Sequence, residues 1–149
     1  MKRILAAIDF SETAHDVIAT VILLKNALNA RLWVAHADDA APYFYPPEAS
    51  EQEGRKKATG KKRQQQEQII DNARLQLQAA GIDAPFDMLG GPADEQILTK
   101  AREIEADLIV IGAHRHSRMY NFLFGDTGDR LINHAQCPVM VVPKGAQKA

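Results

Sequence analysis

Asp107-Leu108-Ile109-Val110-Ile111-Gly112 is the stretch whose reading decides the fold. Four large apolar residues in a row, without polar alternation, predict a strand covered on both faces, as in parallel sheets flanked by helices. Gly112 closes the strand. The following segment, from Ala113 to Gly125, is polar and carries His114, Arg115, His116 and Arg118. Gly125 then precedes a helix predicted over roughly Thr127 to Ala135, and Val139-Met140-Val141-Val142 reads as a further strand before a polar tail, Lys144 to Ala149.

The same alternation extends toward the N-terminus. Ile97, Ala101 and Ile104 mark a helix entered through the turn Gly90-Gly91-Pro92, and Pro85 to Leu89 is a weaker strand. Lys61 to Ala80 is rich in Gln, Lys and Ala, with an apolar stripe of Ile69, Ile70, Ala73 and Leu77; it predicts a helix closed by Gly81. Asp38 to Glu53 holds Pro42, Pro46 and Pro47 and reads as a loop; its Tyr43-Phe44-Tyr45 triplet reads as a lid, a partner surface or a pin to the body. Leu32 to Ala37 is a strand. Ala14, Val17, Ile18, Val21, Leu24 and Leu28 recur at helical spacing behind Ser11, a good N-cap, and that helix ends near Asn29-Ala30. Ile4-Leu5-Ala6-Ala7-Ile8 is the first strand, too short and too soon interrupted by Asp9 for a signal peptide. Five strands alternating with four helices, without internal repeat, define an α/β fold with a mainly parallel sheet. Ligands of such sheets bind beyond the carboxyl ends of the strands, where Ala7-Ile8-Asp9, Ala37-Asp38 and Gly112 would meet.

Composition narrows the class. The 149 residues are 46% hydrophobic and 25% charged, which excludes intrinsic disorder and fits one domain spanning 1–149. Eighteen basic and nineteen acidic residues leave a net charge of -1, without the long-range field of a general nucleic-acid or membrane-surface binder. Neither partner is expected. Val21 to Leu24, the apolar run of the first helix, is far short of the ~20 residues a membrane span needs. One cysteine, Cys137, excludes an intrachain disulfide and a cysteine-based zinc site; a reducing cytoplasm is the simple reading. Its place at a strand entrance predicts a packed thiol rather than a nucleophile. There is no Walker lysine, no nucleophile elbow and no triad.

Two readings of the Gly112–Thr127 segment stay open on its residues alone. Glycines and amides at a helix start favour a phosphate, and the cations add positive potential. A solvated strand–helix connection needs the same glycines. Asp9 likewise reads as a ligand carboxylate or as a turn cap before the Ser11 helix. The cluster Arg55, Lys56, Lys57, Lys61, Lys62 and Arg63 reads as a solvated helix start, against docking of an acidic partner or nucleic acid; no aromatic residues interleave with it.

Ile4-Leu5-Ala6-Ala7-Ile8-Asp9-Phe10-Ser11, Gly90-Gly91-Pro92-Ala93-Asp94-Glu95-Gln96-Ile97, Asp107 to Gly112 and His134-Ala135-Gln136-Cys137-Pro138-Val139-Met140-Val141-Val142-Pro143 together resemble the universal stress protein family. The resemblance spares only the variable loop and basic helix start at 38–63. It implies a Rossmann-like sheet of order 3-2-1-4-5 and a homodimer through the last strand, at Val139, Met140 and Val141. For the ATP-binding branch it implies an adenine-nucleotide site. Asp9 would then hold the ribose or a nucleotide-bound Mg2+, and the backbone at Ala37 would contact adenine. Ala7, Ile111 and Gly112 would line the pocket, and Arg115, Gly125, Asp126, Thr127 and Gly128 would surround the phosphates. Gly112 and Gly125 match the first and third glycines of that branch's motif. Arg115 replaces the second, and Asp126 stands where Ser or Thr belongs. A carboxylate there repels a triphosphate unless a metal bridges them. The implied function is a cytoplasmic stress-response protein that signals through ATP, ADP or AMP, with slow hydrolysis at most. The alternative is a dimeric interaction module independent of nucleotide.

Overall fold

A computed structural model describes residues 2–8, 13–38, 52–90, 92–113, 131–143 and 145, with the backbone alone at 37–38 and 52–63. Its elements are β1 (Arg3–Ile8), α1 (Thr13–Leu28), β2 (Arg31–Asp38), α2 (Gln52–Ala79), β3 (Phe86–Gly90), α3 (Ala93–Glu103), β4 (Leu108–Ala113) and β5 (Val139–Pro143). Positions 131–134 are helical as well.

The continuous apolar runs form the centre of the sheet. Strand order is β3-β2-β1-β4-β5, with every pair parallel. β1 is flanked on both sides: Ala7 stands opposite Ala35 on β2 and opposite Ile111 on β4. Successive residues of these strands serve opposite faces. Ile4, Ala6, Ile8, Val34 and Val110 pack with Val17, Ile18 and Val21 of α1 and with Ala73 and Leu77 of α2. Leu5, Ala7, Ala35, Ile109 and Ile111 pack with Ile97 and Ala101 of α3 and with Leu131. Both faces are covered, which is why the strands show no polar alternation.

Each long helix stops on a residue of left-handed backbone. Gly81 has φ +71° after α2, and the Ile82 amide donates to the Leu77 carbonyl at 2.8 Å. The Leu77 and Ile82 side chains both join the core, completing a glycine-based helix stop. Asn29 (φ 49°) and Glu105 (φ 51°) do the same for α1 and α3 without glycine.

At the amino ends of the strands, Asp107 ties β1 to the start of β4. Its Oδ2 accepts the Lys2 amide at 2.8 Å and the Arg3 amide at 2.9 Å. These two donors hold its carboxyl below the usual carboxylate range. The Arg3 guanidinium donates to the Ile104 carbonyl at 3.2 Å and pairs with Glu105. Lys100 of α3 meets Asp87 of β3 at 2.7 Å, and that carboxylate raises its pKa.

Two boundaries differ from the sequence expectation. β2 runs on through Asp38, which stands opposite Gly90. α2 begins at Gln52, nine residues before Lys61, so the whole basic cluster lies within the helix. Residues 52–63 contain no large apolar side chain, so no 3.6-residue stripe marks them. Hydrogen bonding along the backbone needs none. His36 lies on an interior strand, opposite Ile8 and Met88, and is fully buried.

Candidate functional site

The chain leaves β1 for α1 and β2 on one side of the sheet, and returns through α3 to β4 on the other. The carboxyl ends of β1 and β4 therefore flank a topological switch point, where the two crossovers part and where sheets of this kind take ligands. Ala7 and Ile111 stand side by side there, both fully buried in the core on the α3 side. Gly112 follows Ile111 along β4. Ala37 lies one strand away, opposite Leu89. Four residues named from sequence, Ala7, Ala37, Ile111 and Gly112, are thus brought to one end of three adjacent strands. Asp9, Arg115, Gly125, Asp126, Thr127 and Gly128 lie outside the described residues, as do Ser11, His114, His116 and the Tyr43-Phe44-Tyr45 triplet.

Gly112 has a packing role that its sequence context hides. A Cβ built on it would lie 2.9 Å from Thr13 Oγ1, 3.0 Å from Thr13 Cβ and 3.1 Å from Val17 Cγ2. The first turns of α1 thus lie against the end of β4, and only glycine admits them. Thr13 is itself buried, as is Asp16 one turn on. Asp16 Oδ2 accepts the Gly145 amide at 3.1 Å, which fastens the chain beyond β5 to α1. Sequence reading missed both residues. Thr13 sits at a helix start, a weak signal; Asp16 and Gly145 are 129 positions apart, and no local pattern joins them.

β5 forms one edge of the sheet. Met140 and Val141 are 37% and 40% exposed, and Val139 packs inward on the α3 side. The Cys137 thiol is half-buried; desolvation raises its pKa, so it stays protonated near neutrality. Among the described residues no three His, Cys, Asp or Glu side chains group as metal ligands. No described helix is long and apolar enough to cross a membrane.

The strand order and the helices on both faces define a doubly wound α/β domain. Residues 1–143 match the model of the Universal stress protein family, and the chain belongs to that family. Stress response protein NhaX of Bacillus subtilis is 29% identical over 160 aligned residues, covering 94% of this chain and 96% of the relative. Among solved structures, universal stress protein UspA from Lactobacillus plantarum superposes with a TM-score of 0.69 at 22% identity, covering 95% of this chain and 97% of that one. A universal stress protein solved in complex with cAMP has a TM-score of 0.64 at 20% identity, covering 97% and 98%. One from Archaeoglobus fulgidus, solved with dAMP, has a TM-score of 0.62 at 17% identity, covering 95% and 97%.

Proposed function

We propose that this chain binds an adenine nucleotide at the carboxyl ends of β1, β2 and β4, and regulates stress-response partners according to occupancy. One observation carries the reading: Ala7 and Ile111 stand in register at the switch point, with Gly112 next along β4. The family's complexes with cAMP and dAMP support an adenine ligand. In this reading Asp9 holds the ribose or a nucleotide-bound Mg2+. Arg115, Gly125, Asp126, Thr127 and Gly128 surround the phosphates, where Asp126 favours AMP or metal-bridged ATP over free ATP. The protein acts in the cytoplasm as a homodimer paired through β5, whose exposed Met140 and Val141 offer an apolar edge.

The test is titration calorimetry with ATP, ADP and AMP, with and without Mg2+, after mass spectrometry of any small molecule released on denaturation. Asp9→Ala weakens adenine-nucleotide binding without moving the thermal midpoint, and Asp126→Ser raises affinity for ATP relative to AMP. Absence of heat with every nucleotide rejects the reading. A second reading, a dimeric module independent of nucleotide, is favoured by Gly112 itself: its contact with Thr13 accounts for the glycine without any ligand.

A further inference from the structure

Arg74 of α2 and Asp83, just past the helix stop at Gly81, line one cleft where α2 hands the chain to the edge strand β3. This is the amino pole of the sheet, opposite the strand ends proposed to hold nucleotide. The cleft has a volume of about 270 Å³, just below the range of sites for drug-sized molecules, and so suits a smaller ligand. Its walls are apolar: Leu77 and Ile82 are buried in the core, and Ala84 and Phe86 pack against it.

Arg74 is held in place over the Phe86 ring, its guanidinium carbon 5.1 Å from the ring centroid. Stacking occupies the flat face of the guanidinium and leaves the N–H donors at its rim to meet a carboxylate two at a time. Among the described residues no carboxylate pairs with Arg74, and no cation pairs with Asp83. Two opposite charges thus line one small cleft, too far apart to neutralise each other. The end of α2 adds to the negative side. α1 carries Lys25 in its last turn and α3 carries Lys100 and Arg102, whereas the 28 residues of α2 end without a basic one. The negative end of its dipole is left without a cation of its own.

We propose that this cleft binds a free α-amino acid with an aliphatic side chain. Its carboxylate pairs with Arg74, its ammonium lies beside Asp83 and the end of α2, and its side chain rests on the apolar wall. An inorganic anion would meet Asp83 as well as Arg74, and a metal cation would meet Arg74 as well as Asp83. A neutral apolar molecule leaves both charges unmatched. The chain terminus of a partner protein brings only one of the two. An amino acid carries both charges on one carbon, next to an apolar group, and matches the three features together.

The experiment is calorimetric titration of the full chain, without nucleotide, with L-leucine, L-leucinamide and N-acetyl-L-leucine. The amide lacks the carboxylate and the acetyl compound lacks the ammonium. Leucine binds about tenfold or more tightly than either, the loss expected for one charge-assisted contact. Arg74→Gln weakens leucine by the same factor and abolishes its advantage over leucinamide. Asp83→Asn does the same for its advantage over N-acetyl-leucine. Both side chains are exposed, so both variants fold, which circular dichroism checks. Should one misfold, the three ligands still decide the matter on the parent chain. Four results overturn the proposal: no heat with leucine at millimolar concentration, equal affinity for the three ligands, a leucine affinity that both variants leave intact, or glutamate binding as tightly as leucine. The last would make the cleft a general anion site.

Discussion

Gly112→Ala tests whether packing or a ligand demands the glycine at the end of β4. The added methyl meets Thr13 Oγ1 at 2.9 Å and Cβ at 3.0 Å, with Val17 Cγ2 at 3.1 Å. Thr13 and Val17 are each 1% exposed, so neither can swing into solvent, and α1 must retreat by several tenths of an ångström. Overpacking of this kind costs about 1–3 kcal/mol. For a chain of this length the unfolding entropy is about 0.3 kcal/mol/K, so the thermal midpoint falls by roughly 3–10 °C. Calorimetric melting measures it, supported by urea unfolding with an unchanged slope. Thr13→Ala removes the 2.9 Å contact but leaves the 3.0 Å one, so it partly rescues the alanine variant. Its added cost in the Gly112→Ala background is therefore smaller than in the parent. A midpoint unmoved within a degree would refute the packing account. If nucleotide binding were lost at the same time, the glycine would belong to the ligand.

Three further outcomes are expected. Val141→Asp, at a 40% exposed position on the β5 edge, shifts the proposed dimer toward monomer in sedimentation velocity; a persistent dimer places the interface elsewhere. Asp107 has a folded pKa below its ordinary 3.8, so its stabilisation is complete above that value and is lost as pH falls through the lowered one. Asp107→Ala therefore destabilises the chain at neutral pH and flattens the acid limb of its urea-unfolding profile, and a profile parallel to the parent's contradicts the assignment. Cys137 reacts with a disulfide reagent at neutral pH more slowly than a free thiol, because burial raises its pKa; equal rates would mean an open, ionisable sulfur.

Sequence and structure agree where hydrophobic pattern and backbone chemistry coincide. Ile4 to Ile8 and Leu108 to Ile111 are apolar throughout because helices cover both faces, and Gly81 marks a helix stop because the turn demands φ +71°. Strand order is a different matter: neighbouring strands lie far apart in sequence, and 3-2-1-4-5 rests on family resemblance, which the sheet bears out. The first half of α2 escapes pattern reading because its sequence carries no apolar stripe. At the candidate site, Ala7, Ile111 and Gly112 are legible as strand ends. The support beneath them is not, since Thr13 and Asp16 act through contacts with residues far along the chain.

The bond from Gly145 to Asp16 also fixes a polarity for handling the protein. Lys2 lies at the amino pole of the sheet beside Asp107, and Gly145 is fastened at the opposite pole, beside the first turn of α1. An affinity tag or surface tether joined after Gly145 therefore sits at the carboxyl pole and pulls on the start of α1. One joined ahead of Lys2 lies at the other pole, away from the proposed site, and is the attachment to choose for surface-based binding measurements.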